Sequence, residues 1–355
     1  MKVSAPKSEV LAVRTLTDGG QSAVEIARAI EAFLGEARHS LDLAQYDFNL
    51  GPETAAIVGG AIRAAAERGV AVRFIYNVDH RNPIPVPPPP EPDTQLIASL
   101  GVPSRAIAGV PDLMHHKYVI RDRKSVWTGS TNWTDDSWSR QENIVAVVDS
   151  AGLGDAYARD FEQLWSTGAV EETGFVDPRD LDVGGVRVRA WFTPGHGDEL
   201  SHRIAKAIGR AGRRVRICSP VLTAAPILAT LAQIVSEGTL DIAGCLDRPQ
   251  IEGVIHQWHE DGDVAWKLPL LERALTAPFS AKLSTPYGSG PVHDFMHAKV
   301  TVADDVVFTG SFNLSRSGER NAENVLEIHD AALADRLAAY VDEVRARYPL
   351  YQRSQ

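Results

Sequence analysis

The sequence predicts an α/β protein of two pseudo-twofold-related halves, each built on a largely parallel, buried sheet. Three observations carry this. The stretch MHHKYVIRDRKSVWTGSTN (114–132) returns as MHAKVTVADDVVFTGSFN (296–313), about half a chain later. Each half contains an apolar run, a helical stretch of about 15 residues and a second apolar run, the signature of a βαβ unit in a buried sheet. The segment ETGFVDPRDLDVGG (172–185) between them is polar and rich in Gly, Asp and Pro, as a linker is. The expected divisions are 1–171, a linker over 172–185, and 186–355.

Taken in order, 23–37 reads as an amphipathic helix, 40–48 (SLDLAQYDF) as a strand, 53–68 as a helix and 70–78 (VAVRFIYNV) as a second strand. The second half repeats this with a helix over 200–211, a strand over 214–222, a helix over 224–237 and a strand over 239–246. Helices over 155–165 and 331–347 close the halves. YVIRD with KSVWTG, and VTVAD with DVVFTG, alternate as tight hairpins. The proline-rich 81–92 excludes helix and central strand. It is expected to be a stiff loop near the cleft, ahead of a recognition segment for a proline-binding module.

Composition narrows the class. With 44% hydrophobic and 23% charged residues among 355, the chain can bury a large core. A net charge of -10 argues against a non-specific nucleic-acid binder, although a groove can be locally positive. Cys218 and Cys245 lie in apolar runs and read as buried hydrophobes, with no disulfide framework and no cysteine metal site. The N-terminus has no apolar core of a signal peptide, and no apolar run is long enough to span a bilayer. A cytoplasmic location is the expectation.

The repeated residues suggest a chemistry. His115 and Lys117 match His297 and Lys299; two apart on a strand, they share a face. Asp122 and Asp304 follow seven residues after each histidine, at the far ends of their strands, and read as structural. Gly129-Ser130-Thr131-Asn132 matches Gly310-Ser311-Phe312-Asn313, the glycines permitting a turn and Ser130, Asn132, Ser311 and Asn313 offering donors for phosphate oxygens. One imidazole can attack phosphorus while the second protonates the leaving oxygen, which requires the motif twice. Glu142 and Glu323, each ten residues past its asparagine, are the expected carboxylates that hold a histidine's other nitrogen.

His-x-Lys, four residues, Asp, then Gly-Ser-x-Asn resembles the motif of the phospholipase D superfamily, and the chain is identified as a two-copy member over about 22–345. The copies differ by one residue, six between Asp122 and Gly129 against five between Asp304 and Gly310. The resemblance implies two α/β/α halves with mixed, largely parallel sheets packed edge to edge, the site at their interface, and a metal-independent, cofactor-free, two-step phosphodiesterase. Its catalytic residues would be His115, Lys117, His297, Lys299, Glu142 and Glu323, with His115 the nucleophile and His297 the acid. It implies a phospholipid or nucleic-acid substrate. The acidic balance places hydrolysis or transfer on a phospholipid first, a nuclease second and a non-catalytic phosphate binder last. Peripheral membrane contact is an option, and both half-sites in one chain favour a monomer.

Other residues read more plainly. His116 points to the opposite strand face and is expected to be structural. Asp79-His80 and His293-Asp294 are expected on surface loops, and Trp127, Trp133 and Trp138 in core or rim packing. Arg121, Arg123, Lys124 and Arg140 form a basic cluster that is either solvated or steers an anionic substrate.

Overall fold

The computed structural model describes residues 10–80 and 87–352; residues 81–86 of the proline-rich stretch lie outside them. The first half runs β1 (Leu11–Leu16), α1 (Ala23–Gly35), β2 (Ser40–Gln45), β3 (Phe48–Asn49), α2 (Pro52–Glu67), β4 (Ala71–Val78), α3 (Thr94–Ser99) and β5 (Ser104–Ala108). The motif hairpin follows as β6 (Lys117–Arg121) and β7 (Ser125–Gly129), then β8 (Trp133–Thr134), α4 (Asp135–Ser139), β9 (Asn143–Asp149) and α5 (Ala151–Thr167). Helix starts obey local chemistry: Ser22 accepts the Glu25 N–H at α1, and Ser150 the Leu153 N–H at α5.

The second half repeats the plan. It runs β10 (Leu181–Val183), β11 (Val186–Thr193), α6 (Gly197–Arg210), β12 (Arg214–Cys218), α7 (Ala225–Glu237), β13 (Asp241–Asp247), α8 (Arg248–Glu260), α9 (Leu268–Ala274) and β14 (Phe279–Lys282). Its hairpin is β15 (Val300–Ala303) and β16 (Val306–Gly310), followed by α10 (Arg316–Arg320), β17 (Glu323–His329) and α11 (Ala331–Arg347). The segment expected as a linker is built into the fold: Thr173, Val176 and Val183 are buried, and β10 pairs with β11.

Among the described residues the sheets are ordered β1-β9-β7-β6-β2-β4-β5 and β10-β11-β17-β16-β15-β12-β13-β14. They match strand for strand once β10 is set aside. Both are mixed. Within these two sheets parallel pairing is confined to the βαβ portions, β2–β4–β5 and β12–β13–β14, and the hairpins and flanking strands pair antiparallel; β3 and β8 form a separate parallel pair. One core cluster takes residues from both sheets together with α5 and α11. The outer faces are covered separately, by α1 and α2 in the first half and by α6, α7 and α9 in the second. No helix among the described residues is long and apolar enough to cross a membrane.

Asp122 and Asp304 fasten the motif hairpins. Each sits in the hairpin turn with positive φ, 54° and 51°. The Asp122 carboxylate accepts the backbone N–H groups of Arg38, His39 and Ser40 at 3.0, 2.6 and 2.9 Å. Asp304 accepts those of Gly212, Arg213 and Arg214 at 2.7, 3.0 and 3.0 Å. Each aspartate therefore pins its hairpin to the start of the central strand beside it.

Burial acts to raise the Asp122 carboxyl, but the three N–H donors outweigh it and hold the group below 3.8. Its contribution to stability is therefore present above the unfolded value and lost as pH falls through the lowered folded one. Asp122→Ala should cost about 1–3 kcal/mol at pH 7, read from urea unfolding. The difference from the parent should shrink below pH 3.8; a cost that stayed constant down to pH 2 would contradict the assignment.

Candidate active site

His115 and His297 stand at the entrances to β6 and β15, where the two halves touch. The His115 N–H donates to Ala322 O at 2.9 Å and the His297 N–H to Glu142 O at 3.2 Å, so each motif is hydrogen-bonded across the halves. One residue earlier, the Met114 N–H donates to Asn77 Oδ1 and the Met296 N–H to Asp247 Oδ2, both at 3.0 Å. Asn77 and Asp247 occupy matching places on β4 and β13. Both histidines and both lysines are buried.

The imidazoles are oriented from opposite halves by unlike partners. His115 Nδ1 lies 2.7 Å from Glu323 Oε2, whereas His297 Nδ1 lies 3.2 Å from Asn143 Oδ1. This corrects the reading of Glu142. The repeated Glu-Asn pairs match in sequence, but the strands do not keep that register: Gly129 faces Val145, and Gly310 faces Val325. The structural counterpart of Glu323 is therefore Asn143, each the first residue of its strand. The reason is one extra residue in the first half between α4 and β9, compared with α10 and β17. Displaced by that residue, Glu142 turns to Lys282 Nζ at 3.0 Å and to the hydroxyl of Tyr348.

The serines follow the same corrected register. Ser130 Oγ donates to Asn143 Oδ1 at 2.6 Å and accepts the Ile144 N–H at 2.9 Å. Ser311 Oγ accepts the Asn324 N–H at 3.0 Å, and its hydroxyl bonds Glu323. The expected phosphate-binding hydroxyls thus point inward and brace the two groups that orient the histidines. Asn132 and Asn313 each keep a buried Oδ1 without a hydrogen-bond partner among the described residues. A Cβ on Gly129 or Gly310 would lie 2.1 Å from a carbonyl oxygen, of Ile144 or Asn324 respectively, which only glycine avoids.

Among the described residues, neither motif lysine has a carboxylate in contact. Lys117 Nζ donates to the His115 carbonyl at 2.7 Å and lies 4.7 Å from the centre of the Tyr46 ring. Lys299 Nζ donates to the His297 carbonyl at 2.9 Å. Burial pushes Lys117 down to about 7, opposed by Glu323 and Asp47, and pushes Lys299 well below the usual lysine range. Burial and then the two lysines hold both imidazoles well below 6.5, so both are neutral. Burial raises Glu323 to about 7, against the pull of Lys117. A monoanionic phosphodiester among these groups would favour the charged ammonium forms and the uptake of a solvent proton by an imidazole.

Tyr46, Asp47, Asn143 and Lys282 also belong to the site's surroundings. Tyr46 packs against His115 with ring centres 4.5 Å apart. Only Asn143 left a mark in the sequence, as a member of the repeated Glu-Asn. His116 Nε2 lies 3.1 Å from Asp160 Oδ2, fully buried, away from the cleft. His80 is not a free surface residue: its side chain is largely covered, beside Glu91 and Tyr46. His293 likewise packs against Tyr287, 4.4 Å between centres. Trp127, Trp133 and Trp138 lie in the first half's core. The basic cluster is dispersed: Arg121 pairs with Glu36, Arg123 with Asp155 and Arg140 with Asp18. Cys218 and Cys245 are free and buried.

Comparison with known proteins bears on family and fold. A family model described as "Cardiolipin synthase, PLD-like domain" matches residues 30–165 and 204–345. Mitochondrial cardiolipin hydrolase of Homo sapiens is 29% identical over 146 residues, covering 41% of this chain and 52% of that protein. That of Canis lupus familiaris is 27% identical over 161 residues, covering 45% and 58%. The matches thus span little more than half the length of these relatives. Phosphatidylserine synthase of Haemophilus influenzae Rd KW20 shares the fold at TM-score 0.60 and 13% identity, over 94% of this chain and 86% of that one. Polyphosphate kinase from Porphyromonas gingivalis does so at 0.59 and 13%, over 95% and 47%.

A buried lysine with a depressed pKa opposes folding. Between about 7 and 10.5 the unfolded chain holds a proton that folded Lys117 releases, so its unfavourable effect fades as pH rises through that window. Lys117→Met should therefore raise the urea midpoint at pH 8 while abolishing turnover, with the stability gain closing towards pH 10.5. A lower midpoint at both pH values would show that the ammonium instead stabilises the fold.

Proposed function

The chain belongs to the phospholipase D-like family, and from that premise we propose that it hydrolyses or transfers a phospholipid phosphodiester through a phosphohistidine on His115. The observation that carries this is the unequal support of the two imidazoles, a carboxylate on His115 and a neutral amide on His297. Both partners are acceptors, so both histidines hold Nδ1–H and present a bare Nε2. A carboxylate favours the cation that forms when Nε2 attacks phosphorus, and the amide does not. His115 is therefore the better nucleophile and His297 the readier proton donor.

With the diester bound, His297 takes up a proton from solvent at its bare Nε2. In the first step His115 Nε2 bonds to phosphorus as the bond to the leaving oxygen breaks, and that oxygen takes this Nε2 proton of His297. Lys117, Lys299 and the amides of Asn132 and Asn313 offset the charge on the non-bridging oxygens. In the second step water gives its proton to His297 and its oxygen to phosphorus. The phosphorus–nitrogen bond then breaks and its electrons return to His115. An alcohol in place of water gives transfer. The lipid substrate is supported by the names of the relatives, which act on or make cardiolipin and phosphatidylserine.

The experiment is release of phosphatidic acid from defined phospholipids in mixed micelles containing EDTA, alongside single-stranded and duplex DNA. Lipid turnover unaffected by EDTA is expected; cleavage of DNA alone would replace the lipid reading with the nuclease one.

The carboxylates separate the roles further. Glu323→Gln should lower kcat by on the order of 10²–10⁴ with the fold intact. Glu142→Gln should spare most of kcat but lower the unfolding midpoint, because Lys282 then loses one of its buried carboxylates. Equal rate losses in the two variants would contradict the corrected register.

A further inference from the structure

We propose that the cavity beside the catalytic cluster is a subsite for an ammonium group on one of the alcohols esterified to the substrate phosphate. The proposal rests on the phosphodiesterase reading above and adds the class of substrate. The cavity is about 280 Å³ and is walled by Asp47, Asp135, Asp136, Tyr287, His293 and Pro90. It adjoins the chemistry at two points. Asp47 follows Tyr46, whose ring packs on His115. The Tyr287 hydroxyl is hydrogen-bonded by the side chain of Asn132, in the Gly-Ser-Thr-Asn turn.

The acidic wall alone would carry little, since carboxylates often serve the fold. Asp135 does so in part, accepting the Gly51 N–H at 3.3 Å and the Thr54 hydroxyl. Asp136 accepts the His293 N–H at 2.9 Å through Oδ2. Asp47 is different. The residue is 3% exposed, Oδ1 accepts the Asn49 amide N–H at 2.8 Å, and Oδ2 has no hydrogen-bond partner among the described residues. A buried carboxylate oxygen without a donor is costly, and a ligand ammonium would supply both the donor and the opposite charge. Burial raises Asp47 to about 6, so it still ionises at neutral pH.

The neighbours fit the same ligand. Tyr287, whose ring packs against His293 and Phe295, gives the cavity an aromatic wall. Arg140, whose charge reaches Asp136, is itself held by Asp18 at 2.7 Å. The arrangement disfavours a nucleic acid, whose next phosphate would meet three carboxylates.

The test uses the full chain and two lipids with the same acyl chains, phosphatidylethanolamine and phosphatidylglycerol, in identical mixed micelles. Bis(p-nitrophenyl) phosphate serves as a diester without a headgroup. We expect kcat/KM for the amine lipid to exceed that for the glycerol lipid on the order of 10- to 100-fold. Asp47→Asn and Asp136→Asn should each shrink that ratio, mainly through KM for the amine lipid; the second serves if the first fails to fold. Equal rates on the two lipids, or a ratio unchanged in the folded variants, would overturn the subsite and leave the phosphodiesterase reading in place. Hydrolysis of the nitrophenyl diester alone would also overturn it. No turnover of any of the three would remove the phosphodiesterase reading itself.

Discussion

Everything distinctive about this site depends on hydrogen bonds that cross from one half of the chain to the other. His115 belongs to the first half, yet its backbone N–H is accepted by Ala322 and its Nδ1 lies against Glu323. His297 belongs to the second half and is held by Glu142 O and Asn143 Oδ1 of the first. Neither half can orient its own histidine. The core shared by both sheets, with α5 and α11 within it, fixes the halves closely enough for those contacts to persist.

A duplicated motif invites the assumption of equal partners, and the structure departs from it by a single residue. The extra residue after α4 moves Asn143 to where Glu323 sits in the other half, and sends Glu142 out of the cleft. There Glu142 joins a buried network with Lys282, Tyr348 and the Asp18 backbone N–H. One insertion thus breaks the symmetry and builds a clamp between the N-terminal region, β14 and the C-terminal segment. Such asymmetry has a chemical use: a nucleophile gains from a neighbouring carboxylate, whereas a proton donor is weakened by one.

Much of this was legible in the sequence, for physical reasons. His115-x-Lys117 and His297-x-Lys299 were visible because strand geometry places both side chains on one face, and Asp122 and Asp304 because a turn must be fastened. The βαβ portions announced themselves through apolar runs, while the antiparallel strands beside them carry no comparable signal of pairing direction. Glu142 was misplaced because residue spacing does not reveal which strand register a short loop will impose. The serines read as donors to phosphate because a hydroxyl's direction is set by partners such as Asn143, which only the fold brings near. Tyr46, Asp47 and Lys282 have no motif at all; the end of β2 delivers the first two to the cleft, and the end of β14 delivers Lys282 to Glu142.

The account's central claim is a single covalent nucleophile, chosen by the carboxylate beneath it. The most direct measurement is peptide mapping of the protein quenched in alkali during turnover of bis(p-nitrophenyl) phosphate, in His297→Ala and His115→Ala variants. Alkaline quenching matters because phosphohistidine is lost in acid, and the nitrophenolate leaving group departs without help from an acid. The account predicts a phosphoryl adduct on His115 in the first variant and none in the second. An adduct on His297 in the second variant, or no adduct in either, would contradict it.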